Sequence, residues 1–285
     1  MARSVDRASL YRAPINLWVE DQLTRAYLDA VWNNPYIGFF IGGGNEGVLG
    51  IVNDAEKAGY PNVFAVIDRD FRQSNRASWM DPGKTSRRFI LCVHEIENYL
   101  LDAAALAASR FNNLGKTTAE IETMMMTAAG RLAWWAACRD VVAELRKRFR
   151  EGFLNDPSCR VSREDEARDH ICQSPWFQKL AHEAGRTTEA EIHRLLSDAH
   201  LAANQSLSDG RWKAEFAGKE ILHDVGSRIC DHTKIRGHVT TGNPFDEDLA
   251  KEVGAWQRVN NAVPADLTDL LTALQQRIIR ARTSS

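Results

Sequence analysis

The stretch Val63 to Phe71, VFAVIDRDF, constrains the fold more than any other part of the chain. It is an apolar, β-branched run bounded by a turn signal at Gly59 to Asn62, the pattern of a strand covered on both faces. Such a strand belongs to a parallel sheet layered by helices. It delivers Asp68 and Asp70 to its carboxyl end, where open α/β sheets bind ligands. Side chains two residues apart on a strand share a face, so both carboxylates can reach one cation. Arg69 between them points the other way. The competing reading is a turn in which an aspartate caps a helix or pairs with arginine.

The surrounding residues supply the rest of that sheet. Ile15 to Glu20, INLWVE, reads as a first strand ending in an acid, and Leu23, Ala26, Tyr27, Ala30 and Val31 then recur at helical spacing until Asn33, Asn34 and Pro35. Tyr36 to Ile41 is a second strand running into Gly42, Gly43, Gly44 and Asn45. There a helix begins with Val48, Ile51, Val52 and Ala55 on one stripe, closed by Gly59. Arg87 to Val93 makes a fourth strand and leads into HEIENYLLD, with Glu95 and Glu97 where the strand turns. Short connections between these segments predict an α/β fold, a doubly wound parallel sheet flanked by helices.

Beyond Asp102 the 3.6-residue period dominates. Thr117 with Glu120 is a capping box opening one long predicted helix, whose stripe runs from Ile121 through Leu132 to Phe149. Thr188 and Glu191 open another, Gln205 to Gly210 is a polar break, Ala217 to Leu222 starts a short helix, and Pro264 to Ile279 forms a last one. The predicted organisation is an α/β catalytic core over 1–102, a helical region over 103–205 and a C-terminal helical segment over 206–285 that can pack back on the core.

Composition narrows the function. With 285 residues, 44% of them apolar and 26% charged, the chain can bury a sizeable core. No apolar run approaches the roughly 20 residues of a membrane span, and the first residues have no apolar core of a signal peptide. A cytoplasmic protein without a membrane partner is expected. The five cysteines form no C-x-x-C pair, which argues against a disulfide framework and a zinc ribbon. A net charge of −2 means that nucleic-acid binding would need a local basic patch. Arg69, Arg72, Arg76, Lys84, Arg87 and Arg88, with Trp79 among them, are the candidates, against the alternative of a solvated loop.

Glu20, Asp68, Asp70 and Glu97 come from separate strand ends and would share one rim. Hard oxygen ligands converging in an open cleft suit Mg²⁺ or Mn²⁺, which keep waters and substrate phosphate oxygens in their coordination shell. Such a site can ready water for attack on phosphorus and, with a second ion, stabilise the leaving oxygen. The alternative is that the glutamates cap helices or pair with Arg25, Arg87 and Arg88. Gly42 to Gly44 reads either as a loop whose backbone amides approach an anionic strand or shape the metal rim, or simply as a tight turn between strand and helix. It is not a P-loop, because GGGNEGV lacks the lysine and hydroxyl. Lys219, after Gly218 at a helix start, could neutralise charge on a phosphate, or could simply be solvated.

An acid after strand 1, a Gly-rich turn after strand 2 and Asp-x-Asp after strand 3 resemble a TOPRIM domain. HEIENYLLD resembles the Glu-Asn-Tyr-Leu-Leu segment of the OLD-type TOPRIM nucleases, within them the small proteins related to the nuclease subunit of the PARIS anti-phage system. The match covers residues 15 to 102 and, more loosely, GKEIL with Lys219. Asp21 departs from it, standing where the pattern often has glycine. The resemblance implies a Mg²⁺-dependent endonuclease acting on RNA, with tRNA as the suggested target, or on DNA. Its metal ligands would be Glu20, Asp68, Asp70 and Glu97, with Lys219 assisting catalysis. It also implies a toxic effector of anti-phage defence controlled by a separate-chain ATPase, and activation through a homodimer is left open. Two rival readings remain: a receiver-like phosphoacceptor module, and a non-catalytic subunit that docks on an ATPase.

Overall fold

The computed structural model describes residues 11–69, 78–79, 87–149, 156–158, 160–175, 177–178, 188–231 and 244–283. Strands β1 (Ile15–Val19), β2 (Ile37–Ile41), β3 (Val63–Ile67), β4 (Ser78–Trp79) and β5 (Arg88–Ile90) form one sheet in the order β2-β1-β3-β5-β4. The first four in that order are parallel and β4 is an antiparallel edge. The α/β class read from the sequence is the class observed. The two-residue β4 was not read from the sequence, since two residues are too few for an alternating pattern. The fourth strand shrinks from the predicted 87–93 to Arg88–Ile90.

Strand alternation sorts the core into two layers. Ile15, Leu17 and Val19 of β1, Phe64 and Val66 of β3 and Phe89 of β5 face one large apolar cluster, which continues without a break to Leu274. Val63, Ala65 and Ile67 face a smaller one with Val48, Val52 and Ala55 of helix α2 (Asn45–Lys57). Gly59, at φ 79°, ends α2 in the left-handed conformation expected there. Helix α1 (Gln22–Trp32) lies on the large-cluster side. The Asp21 carboxylate accepts the Thr24 N–H at 2.8 Å at its start, and Asn33 closes it at φ 44°.

Further described helices are α3 (Ala103–Ala108), α4 (Thr118–Arg131), α5 (Ala133–Phe149), α6 (Glu164–Cys172), α7 (Glu189–Ser208), α8 (Trp212–Glu215), α9 (Gly218–Ile229), α10 (Pro244–Val259) and α11 (Ala265–Thr283). The single long helix predicted from Thr117 onward is two helices, α4 and α5. Leu132, at φ −90° and ψ 0°, ends α4 while its buried side chain keeps the apolar stripe going, so periodicity conceals the break. Helix α7 runs through the predicted break at Gln205 and stops at Asp209, before Gly210 at φ 74°.

Helix α10, which the sequence reading did not identify, packs closely on α1. A Cβ added at Gly254 would lie 3.0 Å from the Tyr27 carbonyl oxygen and 3.1 Å from the Val31 nitrogen. The Trp32 indole N–H donates to the Leu267 carbonyl at 3.2 Å, which ties α11 to the same helix. No described helix is long and apolar enough to cross a membrane. The described cysteines 92, 138, 172 and 230 are free thiols.

Candidate metal centre

β1 and β3 are adjacent and parallel, so the residues that follow them, Glu20 and Asp68, emerge side by side. Glu20 Oε1 accepts the Asp68 backbone N–H at 2.9 Å. On the other side of β1 the glycine turn grips the same residue. The Gly42 N–H donates to the Val19 carbonyl at 2.9 Å, and the Gly43 and Gly44 N–H groups donate to the Glu20 carbonyl at 3.2 and 3.1 Å. Positive φ at Gly43 (76°) and Gly44 (101°) makes this turn possible, and a Cβ at Gly47 would collide with the Gly42 carbonyl oxygen. The three amides bond to the backbone at the end of β1 and just after it, as a tight turn between strand and helix does.

The HEIENY segment builds the opposite wall. It forms a 3₁₀ turn, Ile96–Leu100, in which each residue type has a task. The Glu95 carboxylate caps the turn and accepts the Lys219 backbone N–H at 2.6 Å, tethering the start of α9. Asn98 Oδ1 accepts the Glu95 N–H at 2.9 Å, while its Nδ2 donates to the carbonyls of Lys213 and Phe216, each at 2.9 Å. Gly218 is required by this clasp, because a Cβ there would sit 2.6 Å from the Asn98 nitrogen. Tyr99 stacks on Tyr27 with ring centroids 5.8 Å apart and donates its hydroxyl to Asp266.

Glu97 is half-buried and lines a cavity of about 260 Å³ with Lys219, Glu220, Leu222 and His223. Burial, then the Glu95 carboxylate and more weakly Asp21, push its carboxyl group up to about 8, against the pull of its own backbone N–H and Lys219. The geometry therefore joins Glu20 to Asp68, and places Glu97 within electrostatic reach of Lys219 and of Asp21, the residue after Glu20. Asp70 lies outside the described residues. Among the described residues, no three His, Cys, Asp or Glu side chains stand gathered as a metal-binding group. The donors are nevertheless of the kind that a hard divalent cation takes: oxygen only, with one carboxylate whose charge is opposed by its carboxylate neighbours. Of the predicted ligands, Glu20 and Asp68 are brought together, and Glu97 lies toward Lys219 and Asp21; these are the described residues that would hold such an ion.

The basic patch is placed differently from the expectation. Arg69 is turned inward, 4% exposed, and donates to the Ala214 carbonyl at 3.0 Å. Burial lowers its guanidinium below the usual arginine range, against the pull of Glu215. Arg87 donates to the Tyr60 carbonyl, and Arg88 bonds Asn53 and lies 3.8 Å from Glu56 of α2. Because Arg88 pairs with Ala65, it sits below the carboxyl rim, on the flank of the sheet. These three guanidinium groups contact main-chain carbonyls, Asn53 and Glu56. Arg72, Arg76 and Lys84 lie outside the described residues.

Two groups near the site escaped the sequence reading. His94 is buried, donates its backbone N–H to the Ala214 carbonyl at 2.7 Å, and holds Nε2 3.0 Å from Arg139 Nη1. Nothing local marks that long-range contact. His223 follows Lys219 by four residues in GKEILH, a helical spacing that was visible. No protein-family model matches the chain, and no curated protein matches it.

Proposed function

We propose that this chain is a metal-dependent phosphodiesterase, an endonuclease that cuts RNA or DNA with Mg²⁺ or Mn²⁺ at the rim formed by Glu20, Asp68 and Glu97. The observation that carries the reading is Glu97: a half-buried carboxylate opposed by Glu95 and Asp21, facing a cavity whose other wall holds Lys219. Glu20, Asp68 and Glu97 would hold a divalent ion that would offset this repulsion and supply water activation and charge stabilisation at the phosphate. The protein's own contribution is positional. The glycine turn and the Asp68 amide hold Glu20, the Glu95 and Asn98 clasp holds Lys219 across from Glu97, and Lys219 meets a phosphate oxygen. The family resemblance adds that the nuclease is a toxic defence effector restrained by a separate ATPase, with tRNA as a target to include.

Labelled tRNA, total RNA and DNA incubated with the purified protein test this. Cleavage is expected in Mg²⁺ or Mn²⁺, absent in EDTA, and reduced by roughly 100-fold or more in Asp68→Asn and Glu97→Gln. Cleavage unchanged in EDTA, or in both variants, overturns the reading. The strand order β2-β1-β3-β5 favours a receiver-like phosphoacceptor as the second reading, since receivers share it. That module needs both acids after strand 1 at its site, whereas one oxygen of Asp21 is bound to the first turn of α1. Acetyl phosphate labelling of Asp68 without any nuclease activity would favour it.

A further inference from the structure

The cavity beside Glu97 has two chemically different walls. One carries the carboxylate. The other is the first turns of α9, whose Ile221, Leu222, Val225 and Ile229 are buried and so fix the helix with Lys219, Glu220 and His223 outward. Lys219 and His223 are one helical turn apart on the same face and line the same cavity. Charged neighbours are otherwise engaged: Asp224 pairs with Arg131 at 2.7 Å and Arg228 at 3.2 Å, and Lys213 pairs with Glu122 at 2.7 Å. Among the described residues no hydrogen bond or ion pair occupies the His223 ring or the Lys219 ammonium.

Hydrolysis of a phosphodiester makes a demand that the acidic wall does not meet. The water oxygen bonds to phosphorus, the ester P–O bond breaks, water gives up a proton to solvent through the rim, and the departing alkoxide must receive one. Carboxylates arranged for a cation are acceptors. A lysine ammonium is suited to supply charge to a phosphate oxygen, whereas an imidazolium N–H is a group that enzymes use as a general acid. We propose that His223 is the proton donor to the leaving oxygen, with Lys219 binding a non-bridging oxygen of the same phosphate. The charged groups that line the cavity with it are Glu97 on the facing wall and Lys219 and Glu220 on its own helix. This assignment rests on the phosphodiesterase reading and adds a catalytic residue to it.

The test compares two substrates that differ at one atom, an oligonucleotide cut by the protein and the same oligonucleotide with bridging sulfur at the leaving position. A thiolate departs without a proton. His223→Ala and His223→Gln should lose about 10²- to 10⁴-fold on the oxygen substrate and less than about tenfold on the sulfur substrate, with an unchanged melting temperature. Lys219→Ala should lose activity on both alike. Equal losses of the His223 variants on the two substrates would reduce His223 to positioning, and wild-type rates in those variants would remove it from the reaction. A wild-type protein that cuts neither substrate in Mg²⁺ or Mn²⁺ would sink the phosphodiesterase reading itself, and this inference with it.

Discussion

Glu95 and Glu97 stand two residues apart in one short turn and do different things. Glu95 is tied to the amide of Lys219, and Glu97 faces the cavity. The sequence could say that both acids follow a strand, and that neighbouring helical side chains diverge. It could not reveal that α9, more than 100 residues onward, would come to Glu95. The raised carboxyl group of Glu97 makes a signed prediction. In metal-free protein the folded state holds this proton up to about pH 8, whereas an unfolded glutamate releases it near 4.5. The stabilisation is therefore complete below about 4.5 and is lost as pH rises through about 8. The full shift would correspond to roughly 5 kcal/mol, and solvent access to a half-buried side chain reduces this to about 1–3 kcal/mol. Urea denaturation in EDTA at pH 5.5 and 8.5 should show that loss in the wild type and not in Glu97→Gln. On the proposed reading Mg²⁺ would displace the same proton, so its affinity, measured by calorimetry, should strengthen over that range.

Among the elements, those whose apolar residues alternate or recur in a short window were legible. β1, β2, β3, α1 and α2 lie within a residue or two of their predicted positions, because each is flanked by a turn residue or a cap. Helix α10 was not, because much of its contact face is small: Ala250 and Gly254 mark a close approach that hydropathy does not register. The start of α9 is small for a related reason. Gly218 accommodates the Asn98 backbone, and Gly218→Ala should push α9 away from the 3₁₀ turn. The expected cost is about 1–3 kcal/mol in urea denaturation. On the proposed reading a larger fractional loss of phosphodiesterase activity should accompany it, because Lys219 and His223 move with the helix.

At the scale of the whole molecule, one apolar cluster extends from β1 to Leu274. The sequence suggested that the terminal helices could return to the sheet, and the contacts of α10 and α11 with α1 show where they lie. Deleting residues 244–285 would uncover Tyr27, Val31 and Trp32, which lie against Gly254, Gln257 and Leu267, and each large apolar side chain exposed would cost roughly 1.5–3 kcal/mol. The shortened chain should lose its cooperative thermal transition and bind a hydrophobic dye, as scanning calorimetry and fluorescence would register. The Ala214 carbonyl oxygen has a wider consequence. It accepts from His94, next to Glu95, and from Arg69, next to Asp68. A single atom of the helical half is thus fastened to both banks of the acidic cleft. A load on α8 is transmitted to the two walls together, so a molecule gripping the helices from outside would have a handle on the spacing of the cleft without entering it.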